Sequence, residues 1–259
     1  MIRRARAGWV ELVVPVAVVA IWWLWSTGAE SFYFPALPDI LQTFGETWVF
    51  ERVGGDVEPS VVRLGTGFAL AVGTGIGAGL LLGVSRRARL LTAPVVEFLR
   101  AIPPPALIPV GLLVFGVGNG MKVLLIALAC VWPILLNTAD GIAGVETTLL
   151  DAARSYRIGP ADRLRSVLLP AALPQIFAGM RTSLSVAIVV MVVSEMVAST
   201  DGIGFFVLQS QRSFDMPEMW SGVLLLGLLG NALNRILTGV ERRALHWHHG
   251  ARMGPLSRK

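Results

Sequence analysis

At 259 residues, 54% hydrophobic and only 15% charged, with a mean hydropathy of +0.67, the chain departs from soluble domains, which run near half apolar and a quarter charged. This excludes a large soluble domain and a disordered chain, while six helices of about 20 residues would use roughly 120 positions and leave polar chain for loops. The net charge of +5 rests almost wholly on arginine, in short clusters between apolar runs rather than on one soluble face, which argues against a nucleic-acid partner.

Apolar segments long enough to cross about 30 Å of hydrocarbon lie near residues 10–26, 62–84, 93–117, 121–141, 176–199 and 219–240, so an all-α membrane protein with six transmembrane helices is expected. The first follows Arg3, Arg4 and Arg6 and precedes Ser26, Thr27, Gly28 and Ala29, a pattern shared with cleaved signal peptides. Trp22, Trp23 and Trp25 read instead as an interfacial anchor, which favours a retained span. The next segment, 27–60, is acidic, with Glu30, Asp39, Glu46, Glu51, Asp56 and Glu58. The second span contains Gly73, Gly75, Gly77, Gly79 and Gly83 in two adjacent stripes, which lets another helix approach closely, as in packing within one subunit.

The third span contains Pro103, Pro104, Pro105 and Pro109, so a regular helix is expected only from about Ala106 to Val117, roughly 18 Å long. That is too short to cross, and the preceding stretch is expected to enter the membrane bent or extended, lining a pathway or forming a simple kink. The fourth span holds the single cysteine, Cys130, which allows no intrachain disulfide and no cysteine-based zinc site.

In the fifth span Ser185, Ile188, Val192, Glu195 and Ser199 follow at steps of three and four, which predicts one helical face turned to a pathway or a subunit contact. Glu195 is the clear ionisable group at membrane depth, where a charge costs about 2.5–3.5 kcal/mol on the gentlest scale. It reads either as a substrate contact or as a carboxylate tying helices together, and the sequence offers it no obvious titratable companion. Asn137 and Arg181 fall near cytoplasmic helix ends, Asn137 placed for an interhelical hydrogen bond and Arg181 for snorkelling. Glu195, Ser185, Ser199 and Asn137 are thus the pathway candidates.

The arginine and lysine census orients the chain. Sixteen basic residues fall in the N-terminus, in 85–100, in 143–175 and in the tail, whereas the opposite loops hold Arg52, Lys122 and Arg212, and Arg63, Arg181 and Arg235 lie near helix ends. Both termini are therefore expected in the cytoplasm and 27–60 outside. The longest cytoplasmic connection, 143–175, predicts two short helices at an elbow. Leu149, Leu150, Ala152, Ala153 and Tyr156 alternate with charged residues, Gly159 and Pro160 break the pattern, and Leu164, Val167 and Leu168 begin another before Pro170. Small alanines on such a helix suit docking into a groove of another protein, the alternative being an amphipathic helix lying on lipid.

No lysine follows a glycine, so the phosphate-cradling Gly-Lys-Ser/Thr is missing and the chain is not expected to supply the usual ATP site itself. Gly118-Asn119-Gly120 lacks the dinucleotide spacing. His246, His248 and His249 around Trp247 lack the spacing that orients metal ligands and read as a juxtamembrane anchor, so no cofactor or metal is expected.

Asp151-Ala152-Ala153, three residues, Arg157, nine residues, Val167, one residue, Leu169-Pro170 resembles the EAA loop of bacterial ABC importer permeases. That loop reads Glu-Ala-Ala, three residues, Gly, nine residues, Ile, one residue, Leu-Pro. Two departures stand out: Asp151 replaces Glu, and Arg157 takes the glycine position with Gly159 two residues later, although arginine avoids positive φ. Phe98 to Pro103, Ile134 to Thr138, Leu169 to Pro174, Ser194 to Ala198 with Gly202-Ile203-Gly204, and Glu241-Arg242-Arg243 are similar to the branch serving nitrate, sulfonates and taurine. The resemblance implies a type I, MetI-like permease fold in the bacterial inner membrane, with no catalysis of its own. It implies a homodimer working by alternating access, an external substrate-binding protein, and two cytoplasmic ATP-binding subunits. Those subunits would grip Asp151, Ala152, Ala153, Arg154, Arg157, Gly159 and Pro170.

On this reading 1–26 is the N-terminal segment and first span, 27–60 is periplasmic, 61–245 is a five-helix core carrying the loop 143–175, and 246–259 is a cytoplasmic tail. The cargo is a small anion such as an aliphatic sulfonate, taurine or nitrate. Alternatives are a pyrimidine vitamin precursor as cargo, or an ion-coupled secondary transporter, which would want buried coupling acids or histidines and an internal repeat. An intramembrane enzyme would need several convergent reactive groups.

Overall fold

The computed structural model of the protein describes residues 2–28 and 31–246, the side chains of 2–12, 15, 27, 50 and 51 excepted. Ala29, Glu30, Trp247, His248, His249 and the rest of the expected tail lie outside the described residues. Helices follow in the order α1 (Ile2–Gly28), α2 (Leu37–Glu46), α3 (Glu58–Val84), α4 (Arg86–Ala101), α5 (Ile108–Phe115), α6 (Asn119–Ala143), α7 (Thr147–Ser155), α8 (Pro160–Arg163), α9 (Leu169–Ala198), α10 (Ile203–Arg212) and α11 (Met216–Ala244). Short π-helical turns precede α3 and α9, and a 3₁₀ turn, Pro104–Leu107, precedes α5. Among the described residues there is no β-strand, only an isolated bridge between Ser31 and Phe34.

Among the described residues four helical stretches are long and apolar enough to cross a membrane: Val53–Val84, Asn119–Ala143, Pro160–Ala198 and Met216–Ala244. A fifth is the pair Arg86–Ala101 and Pro104–Phe115, bent by 82°, and α1 contributes the shorter apolar stretch Val16–Ser26. The stretch before the prolines is therefore a helix, not extended chain. Ser85 starts it, its Oγ accepting from the Ala88 amide at 3.2 Å. Only Ile102 (ψ 120°) and Pro103 (ψ 123°) are extended, because each precedes a proline whose ring disfavours the helical region. α4 buries none of its residues.

The chain forms two compact units, one of residues up to Pro59 with Asp201–Gly227, the other of Ser60–Thr200 with the chain from Leu228 onward. In the first, the buried Trp48 indole donates to Ser221 Oγ at 3.0 Å and meets Phe206 edge-on at 4.7 Å. The Gly202 amide donates to Asp56 Oδ1 at 2.9 Å, which ties the start of α10 to the turn before α3. Trp22 packs on Trp220, and Trp25 and Trp220 each pack on Phe34.

The second unit is built on α6, which lies against both α3 and α9. A methyl group added at Gly67, Gly75, Gly79 or Gly83 would come within 2.5–2.9 Å of Ile126, Ile134, Thr138 or Ile142. One of the two expected glycine stripes is therefore the close contact to α6. The other, Gly73 and Gly77, meets nothing within 4 Å. Across the α6–α9 contact, the Ser183 hydroxyl donates to the Cys130 carbonyl at 2.7 Å and the Cys130 thiol points to the Ser183 carbonyl at 3.3 Å. Ile142, Ala172 and Ile176 centre a core that Ile76, Leu80 and Leu173 cover.

Candidate functional site

Two charged regions of the second unit carry the residues that the sequence singles out. In the first, α7 ends in a Schellman motif, with the Arg157 amide donating to the Arg154 carbonyl at 2.8 Å and the Ile158 amide to the Ala153 carbonyl at 3.0 Å. This closure needs a left-handed residue, and Arg157 adopts it with φ 56°. The departure at the glycine position thus leaves the backbone turn in place: two backbone hydrogen bonds hold the arginine in the conformation glycine takes for free. Gly159 makes no turn of this kind. It sits at φ −61° and ψ 161° as the N-cap of α8, where an added methyl would meet only Asp162 Oδ2 at 3.9 Å.

The two alanines of the motif separate. Ala153 is 4% exposed and packs inside the chain, so its expected place at an outer contact is corrected, because neighbouring positions on a helix lie about 100° apart. Ala152 is exposed and shares an outward face with Leu149 and Tyr156, the latter 83% exposed. Asp151 and Arg154 pair with each other at 2.8 Å on the surface, and Pro170 stands in the first turn of α9.

The second region is buried. Glu195 of α9 is fully enclosed, and the Ser60 hydroxyl donates to both its oxygens at 2.8 and 2.9 Å. Arg63 of α3, 2% exposed, donates from Nη1 to Glu195 Oε1 at 2.9 Å and from Nε to Asn119 Oδ1 at 2.7 Å. Arg63 Nη1 also lies 3.5 Å from Ser199 Oγ. One ion pair thus joins the ends of α3, α6 and α9.

The expected lack of a titratable companion for Glu195 is overturned. The basic census places Arg63 near a helix end, since the position of a charge in the sequence does not report which way it faces. Lys122, expected in an external loop, is likewise buried within α6. Ser199 joins the cluster, whereas Ser185 is exposed and does not. Ten residues at about 100° each leave Ser185 and Glu195 roughly 80° apart around α9. Asn137 sits elsewhere, taking a hydrogen bond from Gln175 Nε2 at 2.9 Å and giving one to the Pro133 carbonyl. Arg181 pairs with Glu241 of α11. Among the described residues no group of three or more histidine, cysteine or acidic side chains could hold a metal ion.

Residues 71–245 match the family of binding-protein-dependent transport system inner membrane components. The chain belongs to this family. Similar proteins include the permease protein SsuC of Bacillus subtilis, whose name assigns it to aliphatic sulfonates transport, at 32% identity over 95% of this chain and 90% of its own length. The bicarbonate transport system permease protein CmpB of Synechococcus elongatus is 33% identical over 71% of this chain and 66% of its own. The nitrate import permease protein NrtB of Leptolyngbya laminosa is 28% identical over 90% and 88%. In fold, the chain is similar to a chain of the MetNI methionine ABC transporter, with a TM-score of 0.65 at 19% identity, covering 74% of this chain and 95% of that one. This permease is an all-α, MetI-like inner-membrane subunit. It is not itself an enzyme, and ATP hydrolysis belongs to a separate subunit.

Proposed function

We propose that this permease carries a small anion, of the sulfonate, nitrate or bicarbonate kind, from an external binding protein into the cytoplasm by alternating access. The observation that carries the reading is that three similar permeases, at 28–33% identity, are named for aliphatic sulfonates, bicarbonate and nitrate. All three are small anions. The permease works as a homodimer driven by two ATP-binding subunits, with both termini and the loop 143–175 in the cytoplasm. In support of the coupling role, the helix bearing the EAA motif is exposed along Leu149, Ala152 and Tyr156, a face of one aliphatic, one small and one aromatic residue suited to a groove.

The buried cluster supports a division of labour. Arg63 neutralises Glu195, so that carboxylate ties helices together instead of contacting cargo or coupling ions. Asp151, Arg154, Arg157 and Pro170 shape the loop, and Ala152 makes the contact.

The test is uptake into vesicles holding the whole importer with its loaded binding protein. ATP-dependent accumulation of a labelled alkanesulfonate or of nitrate is expected, lost in Ala152→Glu at unchanged permease stability. Accumulation of a pyrimidine vitamin precursor with no uptake of any small anion would overturn the cargo reading. Full transport by Ala152→Glu would remove the coupling face.

A further inference from the structure

A cavity of about 640 Å³ opens within the second unit where α3 and α6 end, bounded by α4, α7 and the turns leading into α9. Four arginines line it, Arg86, Arg89, Arg154 and Arg163, together with apolar residues that include Leu82, Leu90 and Ile142. Arg89 is paired with Asp140 and Arg154 with Asp151. Arg86 and Arg163 have no ion-pair partner among the described residues, so the cavity keeps an excess of positive charge.

We propose that this crevice binds the headgroup of an anionic phospholipid, phosphatidylglycerol being the probe. The inference rests on the proposed orientation, which puts these helix ends at the cytoplasmic surface.

Three observations converge on that ligand. Guanidinium groups suit a phosphate, which they can grip through paired N–H donors. The volume falls in the range of small-molecule pockets, about 300–1,000 Å³. Much of the lining is apolar, with Leu82, Leu90 and Ile142, and Leu90 is 65% exposed on α4, so the apolar part is open to acyl chains. A free inorganic ion would gain nothing from the apolar part. Basic pockets between transmembrane helices on the cytoplasmic side are a recurring form of headgroup recognition.

The crevice also lies away from the coupling contact. Leu150 and Arg154 line it from α7, roughly half a turn around the helix from Ala152 and Tyr156. A lipid held there would brace the inner side of the loop against α4 while the outer side stays open to the ATP-binding subunit.

The experiment measures phosphatidylglycerol retained by the full chain, purified in mild detergent, by native mass spectrometry with phosphatidylcholine as internal competitor. Replacing Arg86 and Arg163 together by Gln removes two charges and should lower apparent affinity for phosphatidylglycerol about 30-fold. Phosphatidylcholine binding and the monodisperse elution profile should not change. The double Lys variant should recover most of the affinity, and millimolar inorganic phosphate should not displace the lipid.

Undiminished phosphatidylglycerol on the Gln variant, eluting as the wild type does, would overturn the proposal. So would displacement by inorganic phosphate, which would make this a free-anion site. Loss of ATP-binding-subunit association by the Gln variant in pure phosphatidylcholine vesicles would assign the crevice to a protein partner instead. External labelling of Arg87→Cys in a Cys130→Ala background would overturn the orientation alone, leaving lipid retention to be read separately.

Discussion

The loop around α7 and the cluster around Glu195 are both charged, yet they hold their charges in opposite ways. In the loop, Asp151 and Arg154 face water and their pair is of the exposed kind, worth about 0–1 kcal/mol. Shape there comes from the backbone, through the two Schellman hydrogen bonds and the left-handed Arg157. In the cluster the charges themselves are the structure, since Arg63 and Glu195 are both enclosed and satisfy each other along with Ser60 and Asn119. A surface that must bind and release a partner can tolerate loss of one charge. A buried pair cannot, because its remaining member would stay unpaired in a medium that solvates it poorly.

The largest expected effect breaks that contrast directly. Arg63→Ala or Glu195→Ala should lower stability by about 3–5 kcal/mol, seen as early thermal unfolding in detergent. The double change Arg63→Met with Glu195→Leu should recover most of the loss, because replacing both members removes the stranded charge. Asp151→Ala should shift unfolding by about 1 kcal/mol or less. Equal effects of Glu195→Ala and Asp151→Ala would mean that burial does not separate the two regions.

Much of this was legible in the sequence, and the remainder has identifiable physical reasons. Hydropathy exposes the four long spans because each is a continuous apolar run, and the motif spacing exposes α7 because it is local. The Arg63–Glu195 pair joins residues 132 apart, and no local period reports such a contact. Steps of three and four align Ser185 with Glu195 only approximately, because the angular error accumulates over ten residues. The prolines at 103–105 mark a break, yet a proline restricts mainly itself and the residue before it, so α4 runs as a helix up to Ala101. The signal that points to Arg63 is an arginine three residues after a serine, at the start of a glycine-rich span that has to pack tightly.

A smaller effect sharpens the same contrast along a single helix. A methyl at Gly79 would stand 2.5 Å from Thr138 Cβ and 2.7 Å from the Leu135 carbonyl, whereas one at Gly77 meets nothing within 4 Å. Gly79→Ala should therefore cost about 1–3 kcal/mol through overpacking against α6. Gly77→Ala should leave stability unchanged or raise it by up to about 1 kcal/mol, since alanine is the better helix former. Thermal unfolding of the two variants side by side checks this, and matching losses would remove the α3–α6 contact from this account.

The smallest expected effect concerns Arg157 and separates backbone from side chain. A left-handed conformation costs an ordinary residue about 1–2 kcal/mol, and glycine avoids that cost but gives back part of it through its freer unfolded chain. The hydrogen bonds that close α7 are made by backbone groups, so Arg157→Gly leaves them in place. The variant should thus be about 0.5–1 kcal/mol more stable as an isolated permease. A residue that costs its own chain stability is explained if its guanidinium meets the ATP-binding subunit. In that case the same variant should bind that subunit more weakly, by a margin that shrinks as salt rises from 0.05 to about 0.5 M and the Debye length falls well below 10 Å. A gain in stability with unchanged binding would leave Arg157 as a local departure without a partner. No gain in stability would mean that φ 56° carries no strain here.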